Sequence, residues 1–192
     1  MKYRILDNLA LGSDELEERI LALPEWRRIL ARAFKKEQGK KECTMAYQLL
    51  CQMLREDYGI TAPPAFAYGE HKKPYLIDYP YIHFNLSHTK KAIACIVSDK
   101  PCGIDVESLG RYNERIARYC MCDEEMEQIN ASHDKDVAFI SLWTKKEALL
   151  KLTGEGITDD LKTVLFSPRM EGVTLETFVN EEKGYCVSIA VK

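Results

Sequence analysis

The 192-residue chain contains no apolar run approaching the ~18 residues that cross a membrane as a helix. It has no C-x-x-C pair; Cys43, Cys51, Cys95, Cys102, Cys120, Cys122 and Cys186 are scattered and odd in number. That pattern argues against a disulfide framework or a zinc knuckle. It fits small buried hydrophobes in a reducing compartment. No sign of charge dominates: 27 Lys and Arg against 30 Asp and Glu leave a net charge of -3. Bulk attraction to nucleic acid or to anionic lipid is therefore disfavoured. No G-x-S-x-G elbow is present, and the adjacent Ser87 and His88 cannot easily adopt nucleophile-base geometry, so a Ser-His-Asp hydrolase is also disfavoured. The stretch 1–11 is interrupted by Asp7 and Asn8 and lacks the apolar core of a signal peptide. A cytoplasmic protein with no membrane segment is expected. Repeats, low-complexity tracts and an obvious linker are missing as well.

What is present is an ordinary globular composition, 46% apolar and 30% charged, in a chain long enough to bury a core as one domain or two fused lobes. Tyr3 to Leu6 reads as a first strand. Ser13, Asp14 and Glu15 look like a helix start, and Pro24 opens a second helical segment. The charges from Lys35 to Glu42 read as a solvated turn. Cys43 to Tyr58 carries an amphipathic helical stripe of Met45, Leu49, Leu50, Met53 and Leu54, ended by Gly59. Tyr81 to Leu86 alternates as a strand leading into a polar turn at Ser87-His88-Thr89. Ala92 to Val97 is apolar throughout, as in a strand covered on both faces. Two short helices follow, Glu114 to Tyr119 and Asp123 to Ile129. A long one, Asp136 to Leu152, stops at Gly154 and Gly156. Val164 to Phe166, Thr174 to Val179 and Cys186 to Val191 read as closing strands. Such a mixture points to an α+β or α/β fold.

Two segments carry the chemistry. Gly103-Ile104-Asp105-Val106-Glu107 has the period of a strand, which puts Asp105 and Glu107 on one face. Trp143-Thr144-Lys145-Lys146-Glu147-Ala148-Leu149-Leu150-Lys151 reads as a helix, with Trp143, Glu147 and Lys151 along one stripe. A solvated sheet face and an ordinary helix-surface ion pair explain each segment taken singly, and Lys145 and Lys146 read as solvated. Together, strand and helix can gather three carboxylates and one ammonium. Two like charges ~4 Å apart repel by about 1 kcal/mol in water and about 4 kcal/mol at an effective dielectric of 20. A divalent cation turns that repulsion into attraction. Hard oxygen donors completed by phosphate and water suit Mg²⁺, and Mn²⁺ takes the same ligands.

These blocks, with Tyr68-Gly69…Pro74 and Phe84-Asn85-Leu86-Ser87-His88, resemble the 4′-phosphopantetheinyl transferases in their Sfp-like branch. The likeness runs from about Tyr68 to Ile157. It implies an α+β fold of two similar α/β lobes related by pseudo-twofold symmetry, 1–98 and 99–192, with coenzyme A between them. It also implies transfer of the phosphopantetheine arm of coenzyme A to a serine of an apo acyl or peptidyl carrier protein, by a monomer. The matching positions are Asp105, Glu107 and Glu147 for Mg²⁺, Lys151 for the pyrophosphate, and His88 with Ser87 for the 3′-phosphate. The family's Tyr-Gly-Lys-Pro lysine is displaced here by Glu70, His71 and Lys72, which leaves Lys73 as its counterpart. An arginine that many relatives carry around Tyr47 is missing, so Lys40 or Lys41 is the substitute contact. Glu147 is the candidate base for the serine proton. Arg111, Arg115 and Arg118, with Tyr119 and Met121, are candidates for meeting the carrier. A Mg²⁺-dependent nucleotide pyrophosphohydrolase and a non-catalytic coenzyme A or carrier-binding module use the same residues and stay open. So does the choice among fatty-acid, polyketide and nonribosomal-peptide carriers.

Overall fold

The computed structural model describes residues 1–69, 71–156 and 161–192; Glu70 and Ile157, both inside the motif blocks, fall outside them. The fold is α+β. β1 (Lys2–Leu6), β5 (Ile93–Ser98) and β4 (His83–His88) form an antiparallel sheet in the order β1-β5-β4. β6 (Cys102–Ser108), β8 (Tyr185–Val191) and β7 (Thr174–Asn180) form a second, in the order β6-β8-β7. A hairpin of β2 (Phe66–Tyr68) and β3 (Pro74–Leu76) stands apart from both. The helices are α1 (Ser13–Leu21), α2 (Glu25–Ala33), α3 (Glu37–Tyr58), α4 (Glu114–Cys120), α5 (Asp123–Ala131) and α6 (Lys135–Thr153).

Side-chain periodicity builds four layers. The Met45, Leu49, Leu50, Met53 and Leu54 stripe of α3 buries against Phe84 of β4 and Ile93, Cys95 and Val97 of β5. The opposite face of β5, Ala94 and Ile96, with Ala92 just before the strand, meets Ile104 and Val106 of β6 and Tyr185, Val187 and Ile189 of β8. That leaves the Gly103, Asp105 and Glu107 face of β6 for α6. All of β5 is buried, as its unbroken apolar run requires.

Several boundaries differ from the sequence expectation. α3 starts at Glu37, so much of the charged run from Lys35 to Glu42 is helix. Its acids and lysines sit on exposed or half-buried helix positions, which Glu and Lys favour. Ser87 and His88 complete β4 instead of opening a turn. Val164–Phe166 is a 3-10 turn and not a strand. Ser13 is the first residue of α1 rather than its cap, and its hydroxyl donates to Glu37.

Two contacts fix α6. A Cβ added at Gly103 would lie 2.5 Å from Leu152 N and closer still to Ala148 O, so the helix backbone runs directly over this glycine. Lys146 is the second contact, and here the solvated reading fails. Its side chain is wholly buried, and Nζ donates to Glu125 Oε2 at 2.6 Å, Leu161 O at 2.7 Å and Cys120 O at 3.0 Å. One ammonium thereby ties α6 to α5, to the end of α4 and to residue 161. Helical spacing alone put Lys146 beside surface positions; only the tertiary arrangement supplies its acceptors.

Gly103→Ala should lose about 1–3 kcal/mol through overpacking, read from urea unfolding. Lys146→Met strands a buried carboxylate and should lose about 3–5 kcal/mol. Adding Glu125→Gln, which still accepts the Cys122 N–H made to this side chain, should recover a large part of that loss in the same measurement.

Candidate active site

Strand β4 is built around the site by alternation. Phe84, Leu86 and His88 turn toward α3, while Asn85 and Ser87 turn toward β6. Their side-chain oxygens replace a backbone ladder: Ile104 N donates to Asn85 Oδ1 at 3.0 Å and Val106 N to Ser87 Oγ at 3.1 Å. The same Ser87 hydroxyl donates to Asp105 Oδ1 at 2.8 Å. Ser87, expected at the 3′-phosphate, is thus buried and committed to holding Asp105.

From α6, Lys151 Nζ reaches Asp105 Oδ1 at 2.6 Å and Ser87 Oγ at 3.0 Å. Asp105 is almost wholly buried, its side chain 5% exposed, and Lys151 is 28% exposed. Glu147, one turn before Lys151, and Glu107, two residues after Asp105, line the same groove, together with Ser87, His88 and Trp143. The groove measures about 320 Å³, within the range of small-molecule sites. A neighbouring groove shares Glu147 and Lys151 and adds His71, Lys72, Lys73 and Asn85, so cationic side chains flank the acids. A larger hollow of about 450 Å³ near Met1, Lys100 and Lys192 contains none of the expected site residues.

Electrostatics couple the acids. Burial raises the Glu147 carboxyl above its ordinary value, Asp105 raises it further, and Lys151 offsets part of the rise. Glu107 is likewise raised by burial and then by Asp105, with Arg111 opposing. Among the described residues, Asp105 Oδ2 and Glu147 Oε1 are buried without a hydrogen-bond partner. Orphaned buried carboxylate oxygens are costly, and a cation would satisfy both. Among the described residues, however, no three His, Cys, Asp or Glu side chains are gathered as a ready ion cage. As they stand, the acids are balanced by ammonium and guanidinium groups.

The remaining expected residues are more dispersed. His88 Nδ1 lies 3.2 Å from Glu42 Oε2 at the rim. Lys41 Nζ donates to Leu11 O at 3.1 Å. Lys73 Nζ turns inward to Leu152 O at 2.8 Å and Cys102 O at 3.2 Å, tying the β2-β3 hairpin to the end of α6. Burial lowers its pKa from the usual lysine value. Arg111 pairs with Glu107 at 2.9 Å and Arg118 with Glu114 at 2.7 Å. Arg115 and Tyr119 are exposed, but Met121 is 1% exposed and belongs to the core. Ile116, 52% exposed, takes the surface place expected of Met121. Asn85 enters the sequence reading only within the Phe84-to-His88 block and Asp136 only as the start of the long helix, neither with a role of its own. Asn85 had a signal, its alternation with Ser87 along the strand; the partners of Asp136 lie some 25 residues away and leave no local pattern.

The profile of the 4′-phosphopantetheinyl transferase superfamily matches residues 101–192, the half that carries Asp105, Glu107, Glu147 and Lys151. A 4′-phosphopantetheinyl transferase of Bacillus subtilis is 28% identical over 173 residues, covering 88% of this chain and 76% of its own length. The 4′-phosphopantetheinyl transferase Sfp of Bacillus subtilis strain 168 is 29% identical over 164 residues, 82% of this chain and 71% of its own. The protein psf-1 of Bacillus pumilus, of the same name, is 38% identical over 93 residues, 47% of this chain and 40% of that protein. With residues 101–192 under the superfamily profile and most of its length aligned to Sfp, the chain is similar to the 4′-phosphopantetheinyl transferases of the Sfp branch.

Proposed function

We infer that the chain moves the 4′-phosphopantetheine arm of coenzyme A to a serine hydroxyl of an apo acyl or peptidyl carrier protein, releasing adenosine 3′,5′-bisphosphate. One observation carries the reading: Asp105, Glu107, Glu147 and Lys151 meet in one groove, with two buried carboxylate oxygens left unpaired among the described residues. We assign Asp105, Glu107 and Glu147 to Mg²⁺, with Mn²⁺ acceptable to the same oxygen donors. The orphaned Asp105 Oδ2 and Glu147 Oε1 fit such an ion. When bound, it supplies Lewis-acid stabilisation of phosphate charge.

The protein's own groups do the rest. The carrier serine oxygen bonds to the phosphorus that bears the pantetheine, and that phosphorus loses its bond to the bridging oxygen of the departing bisphosphate. The serine proton is assigned to Glu147, the carboxylate that α6 presents in the same groove as Lys151. Lys151, already charge-paired at the groove, neutralises the leaving side. Such transfers depend chiefly on positioning and electrostatics. Ser87 holds Asp105 in place, and His88 at the rim is assigned to the 3′-phosphate. His71, Lys72 and Lys73 border the adjoining groove and are assigned to the remaining phosphates, with Lys41 as a more distant contact.

The two halves, 1–98 and 99–192, are proposed as the lobes. Each supplies a three-stranded antiparallel sheet and one long helix, which supports a pseudo-twofold relation. The exposed Arg115, Ile116 and Tyr119 of α4, beside Arg111, are proposed as the carrier-facing surface. Seven free thiols fit a cytoplasmic setting, and the branch fits a monomer. No helix among the described residues is long and apolar enough to cross a membrane.

Incubation with coenzyme A, Mg²⁺ and an apo carrier should add one phosphopantetheine to the carrier mass. Glu147→Gln should abolish that gain while leaving coenzyme A binding mostly intact. Free phosphopantetheine without carrier modification would point to the pyrophosphohydrolase, and binding without product to a non-catalytic module.

A further inference from the structure

Three consecutive backbone N–H groups converge on one carboxylate at the start of α6. Asp136 Oδ1 accepts from Arg111 N at 2.7 Å and Tyr112 N at 2.6 Å, while Oδ2 accepts from Gly110 N. Gly110 has φ +84°, a conformation open to glycine, and this lets the chain fold back on itself directly after β6. The side chain of the residue so fixed, Arg111, returns to Glu107 Oε2 at 2.9 Å. An exposed ion pair of this kind is worth little on its own, because two long side chains must be ordered to make it. Here the backbone of one partner is already immobilised by three charge-assisted bonds.

We propose that Asp136 is a positioning residue: its clasp on 110–112 sets Arg111 against Glu107 and thereby fixes the orientation of Glu107 within the acid groove. The role rests on the function proposed above, since the orientation of Glu107 matters only if that carboxylate receives a ligand. The clasp also complements the opposite end of the same helix, where Gly103 lies under Ala148 and Leu152. β6 and α6 are therefore pinned to each other at both ends of the acid row. A merely structural alternative exists. An acid in the first turn of a helix is favourable through the helix dipole alone.

The two are separated by Mn²⁺ titrated into the full chain with coenzyme A present, alongside hydrogen exchange of the amides of 110–112. Asp136→Ala should speed that exchange and weaken Mn²⁺ binding about fivefold, as for residues of one bonded network. Asp136→Asn removes the charge but keeps the acceptor for Arg111 and Tyr112, and should stay within about twofold of wild type. In an Arg111→Ala background, Asp136→Ala should add almost nothing. Equal losses for Asn and Ala, an equal loss in both backgrounds, or unchanged Mn²⁺ affinity in Asp136→Ala would each overturn the proposal. If the wild-type amides are protected and yet wild type binds no Mn²⁺, the metal assignment itself fails and the role of Asp136 falls with it.

Discussion

The site depends on how closely the backbone of α6 approaches β6. Gly103 has no Cβ, so Ala148 and Leu152 of α6 pass directly over the strand. From that contact the strand period sends Asp105 and Glu107 toward the helix, and the helix period brings Glu147 and Lys151 to meet them. A side chain at position 103 would lift the helix and separate the acids from one another. The glycine therefore sets the spacing of groups that are 40 or more residues apart in sequence.

That spacing has an electrostatic cost that the fold offsets with cations. Asp105 is buried against Lys151, and its other oxygen has no partner among the described residues. Glu107 is held by Arg111, and Glu147 stands half-buried with one orphaned oxygen. Like charges held this close are tolerated when a positive group sits among them. The wholly buried Lys146–Glu125 pair is of another kind. It faces away from the groove into the α4-α5 side of the core, where it anchors the helix segment that presents Glu147. Adjacent lysines on one helix thus have opposite surroundings: Lys146 is structural, while Lys145 stays partly exposed.

Much of this was legible in the sequence. The alternation in Gly103 to Glu107 and the fourfold spacing of Trp143, Glu147 and Lys151 placed the site residues on their elements, and the α3 stripe of Met45 to Leu54 is core as expected. Local pattern misled where an interaction spans distance. The charged residues before Cys43 continue a helix on exposed or half-buried positions, which Glu and Lys favour. Met121 is buried because α4 turns it into the core beside α6. Val164–Phe166 has strand composition but forms a 3-10 turn, a case where three apolar residues cannot distinguish the two states. The inward turn of Lys73 onto two carbonyls, and the commitment of Ser87 to Asp105, follow only from the packing of β4 and the hairpin against β6 and α6.

The most direct test of the central claim is a crystal structure of the chain soaked with Mn²⁺ and coenzyme A, with the ion located by its anomalous scattering. The account expects one strong peak between Asp105, Glu107 and Glu147, with Lys151 moved from Asp105 toward the diphosphate. Bound coenzyme A with no peak in that groove, and Lys151 still on Asp105, would contradict it.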